Sequence, residues 1–449
     1  MLHTQLTSRQ LLRGTSRITA LFMTLLSLSL IMPLTSSAHL PDDIEEFEGR
    51  VIATDLQILK DLSITPLAFE PETQVALASI NTAQMIAIST RAHELGRCGG
   101  YTIVGELATL KSTDVHSFFL PIIERHRKDL DLQKALRDGA YLSKMSFNSG
   151  LNVQSYVDQV EPLNIKEKVE WLSGYSTRFH KGEQNNVHVE DMKNMLEQMV
   201  RASGRQDVKV GLVEHKKTTQ KSVHVRFVGS VFADEHVVLG GHLDSVYWKL
   251  GGVLASEPAP GSDDNASGSS ALVETVRVLL SAPAPRRTVD FYWYAAEEVG
   301  LFGSQDIAED HKRENKNVVG ALQLDMVMYP GLGAGTITSI SDFTSPWLRA
   351  VLARVNDEYV KARIEESQCR YGCSDHASWY KNGFPSVFPT ESSLKHMNKL
   401  IHTPNDKINA ESSFEHAAIF SKLAVGFALE LANSRETENS VYEVPASQW

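Results

Sequence analysis

From about Val157 onward, short apolar runs with strand character alternate with stretches of helical periodicity, and this alternation restricts the fold more than any other feature of the chain. Strand-like runs at Ser222–Phe227, Val237–Leu239, Thr288–Tyr294, Val318–Leu324 and Pro385–Phe388 are separated by helical patterns at Ser269–Leu280, Ser304–His311 and Pro346–Val360. A helix over Glu190–Ala202 precedes them and ends near Gly204; another, over Phe414–Leu431, follows. Strands joined through helices pair in parallel, because a return crossover needs a dozen residues or more. The predicted fold is therefore α/β, a mainly parallel mixed sheet sandwiched between helices. Met192, Met195 and Met199 share one helix face and read as core packing. Pro330–Gly335 is glycine-rich, but no helical pattern or spaced acid follows it, so it reads as a turn.

The remainder divides into three parts. Arg9, Arg13 and Arg17 precede an apolar run from Ile18 to Leu34, with small residues at Ser36 and Ala38. That is the pattern of a secretory signal over residues 1–38, cut after Ala38. A membrane anchor fits less well, since the run is short, broken by Thr and Ser, and reaches Pro33. Export to the periplasm or the cell exterior is the expected localisation, with no membrane anchor. Residues 39–150 carry an acidic run at Asp42–Glu46, a mostly helical reading (Thr82–Leu95, for example) and no catalytic pattern. They read either as a permanent N-terminal domain or as a propeptide removed after export, and removal is the expectation. The third part, 434–449, is read as a tail behind a catalytic domain at 151–433.

Export also bears on the cysteines, because it permits disulfides. Cys369 and Cys373 are close enough to pair across a tight loop, which leaves Cys98 over; removal of 39–150 would take that thiol away. The formal net charge of −11 argues against a nucleic-acid partner.

The chemistry lies where the strands end. Val237–Leu239 runs into Gly240-Gly241-His242-Leu243-Asp244, Thr288–Tyr294 into Ala295-Ala296-Glu297-Glu298, and Val318–Leu324 into Asp325-Met326. In open α/β sheets such residues converge outside the carboxyl ends of the strands. Pro260–Gly268, which contains Asp263 and Asp264, opens a helix, and Ile401-His402-Thr403-Pro404 lies in a late loop. Two imidazoles and several carboxylates in these places form a donor set that zinc accepts.

The segments Gly240–Ser245, Pro260–Gly268, Ala295–Ser304, Gln323–Met326, Cys369–Trp379 and Ile401–Asp406 resemble, in order and spacing, the zinc aminopeptidases of peptidase family M28. The secreted bacterial leucyl aminopeptidases are especially similar, and the likeness runs from about Val157 to Leu431. It implies two zinc ions per chain, one held by His242 and Asp325, the other by Glu298 and His402, with Asp264 bridging. Asp263 is then not a ligand, and the Asp264–Asn265 peptide is expected to be cis. Asp244 is expected to orient the His242 ring, and Glu297 to act as general base and acid beside a metal-bridging hydroxide. Two zinc dications balance three ligand carboxylates and a hydroxide. Ionised Glu297 then leaves the pocket slightly acidic, which suits a peptide with a free N-terminal amine.

Met326, Tyr371, Phe388, Leu394, Met397 and Ile401, with the Cys369–Cys373 bridge, fall where the relatives line an apolar cup. Large apolar N-terminal residues such as Leu are therefore the expected substrates. Thr390 departs from the pattern, standing where close relatives carry an aromatic residue. The propeptide reading and a monomeric state complete the expectation. The alternatives are a glutaminyl cyclase-like or carboxypeptidase-like enzyme on the same scaffold, or a non-catalytic binding relative. The adjacent Glu297-Glu298 pair and the disulfide loop favour the aminopeptidases, and the complete ligand set speaks against the last.

Overall fold

In the computed structural model, one long strand carries much of the design. The structure describes residues 49–108 except 72 and 96–99, positions 111 and 119, and 149–434 except 182–183, 250–251 and 254–256. The predicted signal segment, Cys98 and most of the C-terminal tail lie outside the described residues. In chain order the strands are β1 (Arg50–Asp55), β2 (Ala68–Phe69), β3 (Val75–Ile80), β4 (Tyr101–Glu106), β5 (Val208–Val213), β6 (Ser222–Phe227) and β7 (Phe232–His242). They continue with β8 (Trp248–Lys249), β9 (Gly252–Val253), β10 (Arg287–Tyr294), β11 (Asn317–Gln323), β12 (Thr336–Ile340), β13 (Arg363–Ser367) and β14 (Ser386–Thr390). The helices are α1 (Leu56–Asp61), α2 (Thr82–Glu94), α3 (Val153–Val157), α4 (Pro162–Leu172), α5 (Val187–Ser203), α6 (Gly268–Ser281), α7 (Phe302–Arg313), α8 (Pro346–Val355), α9 (His376–Lys381) and α10 (Phe414–Asn433).

Eight strands form the main sheet in the order β13-β12-β14-β11-β7-β10-β6-β5. Strand β7 lies near its centre, parallel to both β10 and β11, and β14 continues the parallel set beside β11. Antiparallel pairings at β10–β6, β6–β5 and β12–β14 make the sheet mixed, as expected. Both faces are covered, so the central strands carry short continuous apolar runs such as Val237-Val238-Leu239. Val237 and Leu239 pack on one side with Phe291, Trp293, Met192, Leu272 and Phe420, and Val238 points to the other with Tyr292, Tyr294, Ile307 and Trp379. The methionine stripe behaves as read: Met192 is fully buried, and Met195 and Met199 pack against the same core. Gly204 ends α5 in the left-handed conformation (φ 72°).

The described part of the N-terminal region departs from the mostly helical reading. It is an antiparallel sheet in the order β2-β3-β1-β4 with two helices, of which α2 matches the predicted one. The cause is two-sided burial. Along β1, Ile52 faces one apolar cluster and Val51 and Ala53 face another, so the alternation that betrays a strand is lost. Both clusters also recruit residues from beyond Val157. Phe179, Val246, Val299 and Phe302 join the first, and Leu301, Phe343 and Tyr380 the second. Among the described residues no helix is long and apolar enough to cross a membrane.

Candidate metal centre

Five side chains meet at the carboxyl end of the central strands. His242 is the last residue of β7, Asp325 follows β11 by two residues, and Glu298 follows β10 by four. Asp264 sits in a wide helical turn, Ser262–Ser267, that leads into α6, and His402 lies in the loop between β14 and α10. All five are buried. Close backbone packing brings them there. A Cβ on Gly240 would meet the Tyr294 ring at 2.3 Å, and Gly261, at φ 49°, would bring one within 2.4 Å of the Asp264 carbonyl. The Asp264–Asn265 peptide is cis, as the resemblance implied.

The five form two groups that share one carboxylate. His242 Nε2 lies 3.0 Å from Asp264 Oδ1 and 3.3 Å from Asp325 Oδ1. His402 Nε2 lies 2.9 Å from Asp264 Oδ2 and 2.8 Å from Glu298 Oε2. Separations of about 3 Å are what neighbouring donors keep when each stands about 2 Å from one tetrahedral ion. Three buried carboxylates this close also need positive charge. Burial alone would lower both imidazoles, but Asp325 and Glu297 around His242, and Glu298 and Asp264 around His402, hold the two rings well above their ordinary value. Glu298 Oε1 is buried without a hydrogen-bond partner among the described residues. Donor chemistry, geometry and charge all fit a cationic pair. His236 on β7, Asp290 on β10 and His311 on α7 form another group with metal-type donors.

A network of polar groups, mostly invisible in the sequence, holds the five in place. Asp244 accepts the backbone N–H of Glu297 at Oδ1 (2.9 Å) and that of Glu298 at Oδ2 (3.2 Å). Its Oδ1 is 3.5 Å from His242 Nδ1, while its own backbone carbonyl lies nearer that nitrogen, at 3.2 Å. Ser374 donates to Asp325 Oδ2 (2.6 Å), leaving Oδ1 turned toward His242. Asp406 accepts the backbone N–H groups of Asp263 and Asp264 at 3.1 and 3.0 Å. Asp263 itself is turned away to Asn398. Arg178, fully buried, donates to the carbonyls of Leu243, Leu172, Pro260 and Gly261, tying the His242 loop to the Asp264 loop. No motif marks Arg178, and the segments Cys369–Trp379 and Ile401–Asp406 that contain Ser374 and Asp406 gave them no role, because each acts through backbone groups or through a partner distant in sequence.

Glu297 stands beside the cluster, and burial pushes its carboxyl well above the ordinary range. It lines a small cleft with Glu298, Leu301, Tyr371, Cys373 and Tyr101, the last contributed by β4 of the N-terminal sheet. Thr102 beside it donates to the Gly372 carbonyl at 3.1 Å. The six residues read as an apolar cup form two clusters, Tyr371 and Phe388 with Cys369 and Cys373, and Met326, Met397 and Ile401, with Leu394 touching both. Cys369 and Cys373 are bonded. Thr390 is buried, and its hydroxyl donates to the carbonyls of Asp325 and Met326, so it brings little polarity to the cup.

The family model of peptidase family M28 matches residues 222–425, a span that contains all five clustered residues. A probable leucine aminopeptidase of Trichophyton verrucosum is 36% identical over 289 residues, covering 62% of this chain and 76% of that protein. Leucine aminopeptidase 1 of Coccidioides posadasii is 34% identical over 288 residues, covering 62% and 72%. The crystal structure of the Legionella pneumophila LapA aminopeptidase matches with a TM-score of 0.70 at 25% identity, covering 86% of this chain and 99% of its own. With the fold, the donor set and these likenesses in agreement, the chain belongs to peptidase family M28 and is one of its metallo-aminopeptidases.

Proposed function

We propose that the protein is an exported dinuclear zinc aminopeptidase that removes large apolar residues such as Leu from the N-terminus of peptides. The observation that carries this reading is the division of Asp264, one oxygen toward His242 and the other toward His402. His242, Asp325 and Asp264 would hold one zinc, and Glu298, His402 and Asp264 the other. When bound, such a pair supplies Lewis acidity toward the scissile carbonyl and acidifies water, a chemistry common to two-metal hydrolases, aminopeptidases among them. Glu297 takes the proton of the attacking water on its carboxylate and returns it to the leaving amine. Asp244 fixes the backbone from which Glu297 projects. The excess of buried carboxylates suits the substrate's terminal ammonium, and the cup from Met326 to Ile401 receives its side chain. Each ordered group is pre-positioned, which spares reorganisation during the reaction.

Two substitutions test the roles. Glu297→Ala should keep its zinc yet lose most turnover on leucine-p-nitroanilide, whereas Asp264→Ala should lose zinc as well. Near-normal activity in Glu297→Ala overturns the mechanism, and cyclisation of an N-terminal Gln peptide in place of hydrolysis overturns the substrate class.

Residues 39–150 are proposed to act as a propeptide that assists folding and restrains activity until it is cut from the catalytic domain at 151–433. The placement of Tyr101 beside Glu297 supports restraint, and the clusters shared with Phe179, Val299 and Phe343 support a folding role. Equal rates on a leucyl substrate before and after limited proteolysis of the uncut chain would eliminate restraint.

A further inference from the structure

Near the opposite end of the same strands lies the other buried group of metal-type donors. His236 stands six residues before His242 on β7, about 20 Å away at roughly 3.3 Å per residue. Asp290 on β10 and His311 on α7 meet it, and one donor atom from each of the three lies within 4.8 Å of the others.

Asp290 is fully buried and held at both carboxylate oxygens. His224 Nε2 (2.7 Å) and Arg226 Nε (2.6 Å) reach Oδ1, while His236 Nδ1 (2.6 Å) reaches Oδ2. His224 and Arg226 thus fix the carboxylate as outer partners commonly fix a ligating one.

His311 supplies the second observation. Its Nδ1 is 2.9 Å from the Ile307 carbonyl, one turn earlier in α7. A carbonyl only accepts, so Nδ1 carries the proton and Nε2 presents a lone pair. The ring is held edge-on against Tyr292, Trp379 and His236. It is 7% exposed, and Nε2 is buried with no hydrogen-bond donor among the described residues. An imidazole that gives its N–H to a carbonyl and keeps its other nitrogen buried without a donor is in the state that binds metal.

We propose that His236, Asp290 and His311 bind a divalent transition-metal ion of the zinc class at a structural site separate from the catalytic centre. Two nitrogens and one carboxylate oxygen suit zinc, whereas calcium and magnesium require more oxygen donors than the group offers. Binding through His236 Nδ1 moves the proton now shared with Asp290 to the other ring nitrogen. The rival arrangement is a closed hydrogen-bond network in which Arg226 balances Asp290. It accounts for Asp290 and His236 but leaves the His311 lone pair facing no donor. An ion here joins β7, β10 and α7 and, bound by the folded chain alone, raises its stability.

Zinc per chain, measured by plasma mass spectrometry on the zinc-equilibrated full chain, tests the site. His311→Gln should carry about one equivalent fewer than wild type with turnover on a leucyl substrate unchanged. The rise in Tm on adding zinc should persist in Asp264→Ala, whose catalytic centre is broken, and shrink in His311→Gln. Diffraction at the zinc edge on wild-type crystals should give an anomalous peak beside His311 Nε2, apart from any peak at His242 or His402. That map decides the matter even if His311→Gln does not fold. Absence of the peak in zinc-soaked crystals, or equal zinc in wild type and His311→Gln, overturns the proposal and leaves the reading of the catalytic centre untouched.

Discussion

Asp244→Asn isolates the contribution of a residue that touches no substrate in the proposed mechanism. Its two carboxylate oxygens receive the adjacent N–H groups of Glu297 and Glu298 at 2.9 and 3.2 Å inside a fully buried site. An amide has one oxygen, so the substitution turns an NH2 group toward one of those N–H donors. A hydrogen bond to a charged acceptor contributes roughly 1.5–3 kcal/mol, and a buried N–H left without an acceptor costs about 1–3 kcal/mol. A shift of the 297–298 backbone relieves that cost and carries the Glu297 carboxyl away from its working position. If about 3 kcal/mol is expressed in the transition state, kcat falls roughly 100-fold, since each 1.36 kcal/mol is a factor of ten. KM should change little, because Asp244 is not part of the cup. The assay is steady-state hydrolysis of leucine-p-nitroanilide at saturating zinc, with metal content measured on the same sample. A kcat within about threefold of wild type at full zinc loading would refute the assignment of Asp244 as the residue that positions Glu297.

Three further outcomes follow from the same geometry. Burial lowers His188 and His376 to about 3 and His311 to about 4, below the ordinary 6.5, so the stability tied to their neutral forms is complete above about pH 6.5 and is lost as pH falls toward about 3; the denaturant midpoint should drop across that window, and His376→Phe should flatten the drop by up to about 1.4 kcal/mol per pH unit. Cys369→Ser should lower stability by about 2 kcal/mol, as expected for so short a closed loop, with a clear fall in Tm and a raised KM for leucyl substrates because the loop borders the cup. Tyr101→Ala should raise the rate of the uncut chain on a leucyl substrate severalfold and leave the proteolysed form unchanged, since Tyr101 lines the cleft beside Glu297.

What the sequence disclosed, and what it did not, has physical reasons. The clustered His and carboxylates were legible because the strands of the parallel set end at one edge, so chemical type and position coincide at His242 and, within four residues past the strand ends, at Glu298 and Asp325. Strand β1 was illegible because both its faces are buried, which leaves Val51-Ile52-Ala53 without alternation. Arg178 and Asp406 were illegible for another reason. They bond to carbonyl and N–H groups that every residue possesses, so no side-chain pattern announces the pairing.

The two metal-type groups take that contrast one step further. Strands β7 and β10 contribute to both, through His242 and the Glu297-Glu298 turn at one end and through His236 and Asp290 toward the other. A histidine near the start of a strand reads as an ordinary core or surface residue, whereas a histidine after two glycines at a strand's carboxyl end reads as a ligand. What separates the readings is not imidazole chemistry but the state of each ring's second nitrogen. His242 Nδ1 faces the Asp244 carbonyl, as His311 Nδ1 faces that of Ile307; the opposite nitrogen of His242 lies against Asp264 and Asp325, and that of His311 is buried without a hydrogen-bond partner among the described residues. Tautomer control of that kind depends on a backbone carbonyl whose direction is fixed only once strand and helix have packed. It follows that searches for ligand residues by type and spacing will find sites at strand ends and miss sites of the His311 kind. The state of the second ring nitrogen is the observation that can recover them.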